Sequence, residues 1–513
     1  MVDAGYVVET SPDGCSRDNN SADDDNLFHC SRRKDRYSFP TFFSTPGGHS
    51  GFMPPGYQLK SVVSLIRHGE RSSLEEATSA VDKPDYDLDF GEDIQLFRGY
   101  AKFWKQYRAM LPSVPFELSD IRLGFVSGIL TPRGIVQSVQ LGKNLKKTYN
   151  SWFDTKKKDA MIFHVESTSF ARTYHSALAF LYGFLGQDAI GVSVFVNRAS
   201  TRFCSHSWCK CKNGLARFRN VLNELYSKYY NEFLDSKISS IIEDGNRILL
   251  NGGSSTSLSR LIDLLLPYAC RPTADRFPCS PDADRCFGVR DFRILNDFGD
   301  KIVRRVSISK EGRLKGLIEA MAVFQKWREN ILRATENDAS GSFELYSDHE
   351  TTLIAVLIGL GVFDGVIPPM ASSVRMEVLK HMTSGKSYMR VFYNGVDITE
   401  KTIFCRNMIH SELCDVNKFL EFLNQYVDGG GKVTSVFRSD SSDPGSLSSD
   451  DVGKVFSNET PVDDDDSTEG AAAACIPSSP AAELDLSPSS SSSDGSSHCD
   501  LSQPNIRWCC WCS

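Results

Sequence analysis

A chain of 513 residues, 41% hydrophobic and 11% aromatic, can bury one large core or two medium ones, which excludes a peptide-sized scaffold. A formal net charge of -8 and a pI near 5.8 argue against sequence-independent nucleic-acid binding, which needs a basic surface to displace counterions from phosphates. A local basic pocket remains compatible with that balance.

Residues 1–57 are rich in Asp, Ser, Gly and Asn and carry no periodic apolar pattern, which predicts a flexible leader. The start, Met1-Val2-Asp3-Ala4-Gly5, lacks the basic residues and apolar stretch of a signal peptide, and no run of about 18 apolar residues predicts a spanning helix. Gln58 to Ile66 contains Val62-Val63-Ser64-Leu65-Ile66, a short β-branched run that predicts a buried strand. Thr131 before Pro132 is an N-cap and first-turn pair, and Ile135, Val139 and Leu145 then recur at roughly helical spacing, predicting an amphipathic helix. Tyr174 to Leu185 is apolar on nearly all sides and too short to cross a bilayer, so an interior helix is expected there. From about 200 to 330 the chain reads as mainly helical with loops. Phe343 to Tyr346 predicts a second buried strand, and Thr352 to Leu360 an apolar helix after it. Strand followed by helix, with buried strands, argues for an α/β sheet. From about Ser439 the composition shifts to Ser/Asp/Pro tracts that cannot bury enough apolar surface to offset ordering entropy, so a disordered tail is expected over 436–513. Its final Trp508-Cys509-Cys510-Trp511-Cys512 is open between a lipidated or metal-binding patch and a non-functional extension.

Fifteen cysteines, many at short spacings (Cys204, Cys209 and Cys211; Cys270, Cys279 and Cys286; Cys405 and Cys414), favour disulfides in an oxidising lumen over free thiols. The odd total leaves at least one unpaired. Since the N-terminus shows no luminal targeting segment, the natural start is expected to extend beyond the one given.

The chemistry concentrates where strands give way to helices. Arg67-His68-Gly69-Glu70-Arg71 follows the first strand, and ligands of open α/β sheets bind beyond such strand ends. Guanidinium forks suit phosphate oxygens and a neutral imidazole can attack phosphorus, so this segment describes an anion pocket holding a nucleophile. A surface turn is the plainer alternative for any single Arg-His-Gly triplet. Further segments add to it: Ser167-Thr168 with Arg172-Thr173 before the interior helix, and Tyr346-Ser347-Asp348-His349-Glu350-Thr351-Thr352 after the later strand.

Taken together, the sequence resembles the histidine acid phosphatases, a branch of the phosphoglycerate mutase-like fold. Arg67 to Arg71 match the Arg-His-Gly-x-Arg-x-Pro signature, with Ser73 in place of its proline. Leu130-Thr131-Pro132-Arg133-Gly134, with Gln137 and Leu141-Gly142, is similar to the family's Leu-Thr-x-x-Gly segment. Ser167-Thr168, Arg172-Thr173 and Ser176-Ala177 resemble its second motif, and Ser347 to Leu353 resembles its His-Asp motif, with Glu350 where most members carry Asp. Pro368 to Ser373 resembles the segment that follows.

The resemblance implies a phosphoglycerate mutase-like three-layer α/β core over 58–435, with a mainly helical cap at roughly 90–130 and 200–300. It implies phosphate monoester hydrolysis through a phosphohistidine on His68. Arg67, Arg71 and Arg172 would bind the phosphate with help from His349, and Glu350 would protonate the leaving oxygen. Neither metal nor cofactor is implied, because arginines stabilise the charge a metal would otherwise neutralise. The partner implied is a phosphorylated small molecule or glycan rather than nucleic acid, with oligomeric state open. The stretch from Arg172 to Leu185 and the late pair Cys405 and Cys414 look similar to the 2-phosphoxylose phosphatases, Golgi enzymes acting on the proteoglycan linkage region. General acid phosphatases, inositol-phosphate phosphatases and a non-enzymatic descendant are the alternatives, the last because of Glu350 and Ser73. A zinc-protease reading of His349-Glu350 fails because residue 353 is Leu rather than the second histidine. A zinc site of Cys204, His206, Cys209 and Cys211 fits no common spacing.

Overall fold

A computed structural model of the chain describes residues 53–74, 94–111, 127–155, 161–197, 212–250, 257–269, 277–280, 284–336, 341–406 and 413–427. The leader up to residue 52, the tail from 428, and Cys204, His206, Cys209, Cys211 and Cys270 lie outside them.

The first expected strand is β1 (Tyr57–Arg67), and its last nine residues are buried. Its apolar run is continuous because both faces are covered: Val62 and Ile66 enter one core, Val63 and Leu65 another. There follow α1 (Ile94–Met110), α2 (Pro132–Thr155), β2 (Met161–Thr168), α3 (Ala171–Leu185) and β3 (Val194–Asn197). Four more helices are α4 (Lys212–Phe233), α5 (Ser236–Leu250), α6 (Leu258–Ala269) and α7 (Val289–Ile308). The chain returns through α8 (Lys310–Glu336), β4 (Gly341–Asp348) and α9 (Glu350–Gly359). It then adds β5 (Ser373–His381), β6 (Ser387–Tyr393), β7 (Val396–Asp397), β8 (Cys414–Asp415) and α10 (Val416–Val427).

The sheet runs β3-β2-β4-β1-β5-β6-β7, with β8 beside β6. Strands β1 to β4 are mutually parallel, and β5 turns antiparallel to β1. Because β4 inserts between β2 and β1, three carboxyl ends arrive side by side, with Arg67 in register with Asp348 and Ser167 with Ser347. That edge is where the sequence motifs meet.

Helices α1, α2 and α3 cover one face of the sheet, and α8, α9 and α10 the other, which gives the three-layer α/β core. A third core joins α4 to α7 with Leu314 of α8. Within the stretch 90–130 expected as cap, α1 instead packs on the sheet layer. Its aromatic stripe of Tyr100, Phe103, Trp104 and Tyr107 belongs to the same core as α2 and α3. The N-cap of α2 is the expected one, since the Gly134 N–H donates to Thr131 Oγ1 at 3.0 Å. Twelve of the fifteen residues of α3 are buried, as its all-round apolar sequence requires.

Among the described residues two disulfides, Cys279–Cys286 and Cys405–Cys414, form within the cysteine groups of short spacing. No helix among the described residues is long and apolar enough to cross a membrane.

Candidate active site

The end of β1 leads into a segment pinned on all sides by backbone bonds. Arg67 N–H donates to the Ser372 carbonyl at 2.8 Å, His68 N–H to the Asp348 carbonyl at 2.9 Å, and Ala371 N–H to the His68 carbonyl at 3.0 Å. Gly69 N–H donates to Ser176 Oγ at 3.0 Å and Glu70 N–H to Gln137 Oε1 at 2.8 Å, so α3 and α2 both fasten the turn. Gly69 and Gly134 meet here with no room for a side chain. A Cβ on Gly69 would lie 2.2 Å from the Gly134 carbonyl oxygen, and one on Gly134 would lie 2.1 Å from that of Glu70. This close approach is the physical reason for glycine at both positions.

His68 is 1% exposed. Its Nδ1 lies 2.8 Å from the Gly69 carbonyl oxygen, which can only accept, so Nδ1 carries the proton and Nε2 keeps its lone pair. Burial first, then the charges of Arg172, Arg67, His349 and Arg71, hold the imidazole pKa well below the usual 6.5. Both effects favour the neutral ring, the form that is able to attack.

Around it stand the three expected arginines, all buried. Arg67 reaches Glu350 Oε2 at 3.0 Å and donates to the Pro368 carbonyl at 2.5 Å. Arg71 pairs with Asp263 Oδ1 at 2.8 Å and donates to the Ser72 carbonyl at 2.9 Å. The Arg172 guanidinium lies 4.3 Å above the Phe170 ring. His349, the N-cap of α9, stands with its ring 5.5 Å from that of His68 and 5.1 Å from Phe170. Its Nε2 is 3.1 Å from Thr168 Oγ1, which in turn lies 2.7 Å from Thr173 Oγ1. The Asp348 carboxylate accepts the His349 backbone N–H at 2.9 Å. Glu350 opens α9 and is 3% exposed.

The six residues expected from sequence thus form one cluster, although they come from three strand ends. An imidazole with a free lone pair beside guanidiniums, a second imidazole and a carboxyl can hold a tetrahedral anion and exchange its substituents. Supporting residues that sequence reasoning assigned no role include Thr168, Ser176 and Gln137, which sit inside quoted motifs, and Phe170, whose aromatic character was the available signal. Asp263 is different. It lies on α6, and nothing local marks it as a partner of Arg71.

A family model described as histidine phosphatase superfamily (branch 2) matches residues 58–236. The chain is 25% identical over 414 residues to 2-phosphoxylose phosphatase 1 of Homo sapiens, covering 75% of this chain and 82% of that protein. It is 24% identical over 387 residues to lysophosphatidic acid phosphatase type 6 of Bos taurus, covering 72% and 83%. Among solved structures, the multiple inositol polyphosphate phosphatase of Bifidobacterium longum is similar with a TM-score of 0.48 at 13% identity, covering 75% of this chain and 95% of that one.

Proposed function

Because the chain belongs to the histidine phosphatase superfamily, branch 2, and is a phosphate monoester hydrolase, we propose that its reaction proceeds through a phosphohistidine on His68 within a catalytic unit spanning 58–435. The observation that carries this reading is the Nδ1–H bond of His68 to the Gly69 carbonyl, which commits Nε2 to nucleophilic attack. Arg67, Arg71 and Arg172 bind the phosphoryl oxygens, and His349, held by Thr168, donates to the same group. Nε2 forms a bond to phosphorus as the ester P–O bond breaks, and the leaving oxygen takes a proton from Glu350. Water then attacks phosphorus, gives its proton back to Glu350, and releases inorganic phosphate with neutral His68. The guanidiniums stabilise the equatorial charge throughout.

The similarity to 2-phosphoxylose phosphatase 1 supports a phosphorylated sugar of a glycosaminoglycan linkage region as substrate. The two disulfides support a secretory-pathway lumen, the Golgi included, as its compartment. His68→Ala is expected to lower turnover by several orders of magnitude, because it removes the covalent route, while the circular dichroism spectrum stays unchanged. Acid quench of the unmodified enzyme should trap an acid-labile phosphohistidine on this residue, and chelators should leave the rate alone. Near-normal activity of the alanine variant would overturn the mechanism.

A further inference from the structure

The phosphate pocket carries less positive charge than its three arginines suggest. Arg67 is opposed by Glu350 at 3.0 Å, and Arg71 by Asp263 at 2.8 Å. Glu70, the acidic residue between them in sequence, has its own basic neighbour in Arg133 at 3.7 Å. With His68 neutral, three guanidiniums against two carboxylates leave one net positive charge, or two once Glu350 carries the proton that it must deliver. Two positive charges match one monoester dianion and no more.

Asp263 sets that match. It arrives from α6 in the helical core rather than from the sheet. Both its oxygens are engaged, since Oδ2 accepts the Leu74 N–H at 2.7 Å while Oδ1 faces Arg71. Its side chain is 11% exposed and Arg71's 4%, so solvent screens the pair poorly. We infer that Asp263 is a specificity-determining residue that restricts the site to singly phosphorylated substrates, by offsetting part of the positive charge around Arg71 so that the pocket's net charge matches one phosphate dianion and leaves no surplus for a second. The inference rests on the phosphatase reading above and names the substrate class for it: a lone phosphate on an otherwise uncharged body, such as a sugar hydroxyl, rather than a polyphosphorylated ring.

The test compares kcat/KM for a neutral sugar monophosphate with that for inositol hexakisphosphate in the full chain and in Asp263→Asn. Asparagine keeps an oxygen for the Leu74 N–H but loses the charge. The ratio is expected to move at least about tenfold toward the hexakisphosphate, and the gain to shrink as salt is raised. A purely structural role would slow both substrates alike and leave their ratio, and its salt dependence, where they were. An unchanged ratio in an active Asp263→Asn overturns the inference alone. A parental chain inactive on every ester overturns the phosphatase reading and this inference with it. A measurement on the unmodified chain covers the case of a variant that fails to fold: inositol hexasulfate is expected to inhibit no more tightly than inorganic phosphate, and tenfold tighter inhibition overturns the proposal.

Discussion

Glu350 stands where the family resemblance leads one to expect aspartate, and its side chain spans from the first residue of α9 to the Arg67 guanidinium at 3.0 Å. Arg67 in turn donates to the Pro368 carbonyl, so the Glu350 carboxyl faces a guanidinium that is anchored on its other side. A carboxyl held there can give its proton to a leaving oxygen only at about 2.6–3.2 Å, which makes geometry the first determinant of its usefulness. Glu350→Gln should therefore slow alkyl phosphates at least about a hundredfold more than p-nitrophenyl phosphate, whose phenolate leaves with little help. Equal slowing of both esters in steady-state assays would remove Glu350 from the acid role.

Whole elements hold this constellation. Helix α7 meets the loop before β5 through Asp300, whose carboxylate accepts from the Ile367 backbone and from Asn296 Nδ2 at 2.9 Å. The next residue in that loop, Pro368, is the one that accepts from Arg67. Burial, with Asp297 and Asp364 nearby, pushes the Asp300 pKa up to about 6 from 3.8. A carboxyl with a raised folded pKa binds more protons when folded, so it costs stability as pH rises from about 3.8 through about 6. Asp300→Asn retains an acceptor without the charge. Denaturant unfolding should find it more stable than the parent by about 1 kcal/mol at pH 7.5, a figure discounted because the group is partly solvated, with the gain gone near pH 4. A loss of stability at both pH values would mean that the charged form is the one holding the loop.

On the scale of the molecule, an acidic chain maintains a small cationic pocket by burying its arginines where three parallel strands end. The sheet is completed on its antiparallel side by β5 to β8, and there Cys405 and Cys414, nine positions apart in sequence and both fully buried, are bonded within the core shared by α8, α9 and α10. Closing a loop of that size restricts the unfolded chain by about 2–3 kcal/mol. Replacing both cysteines by serine should lower stability by that amount in a denaturation titration while kcat changes little, because the bond lies in a packing core and not at the strand ends. An unchanged midpoint would show that packing alone holds this region.

Contiguous sequence by itself determined the α/β class and the three charged segments at strand ends, and the family resemblance picked out the six side chains within them. Arg67, His68 and Arg71, Arg172, and His349 with Glu350 each lie within a few residues of a strand end, and such short segments write their geometry locally through a buried strand, a turn and a helix start. The run of apolar residues in β1 and the Thr131-Pro132 cap were legible for the same reason. No strand of the antiparallel half was expected. In β5 the charged Arg375 and Glu377 alternate with Val374, Met376 and Val378, and these charges prove to be buried, Glu377 pairing with Arg390 and Tyr149 from other elements. The partnership of Asp263 with Arg71, and the contact of Gly69 with Gly134, were decided by tertiary structure alone. Each depends on where one helix comes to rest against a distant turn, and that is fixed by packing between whole layers rather than by any residue's neighbours in the chain.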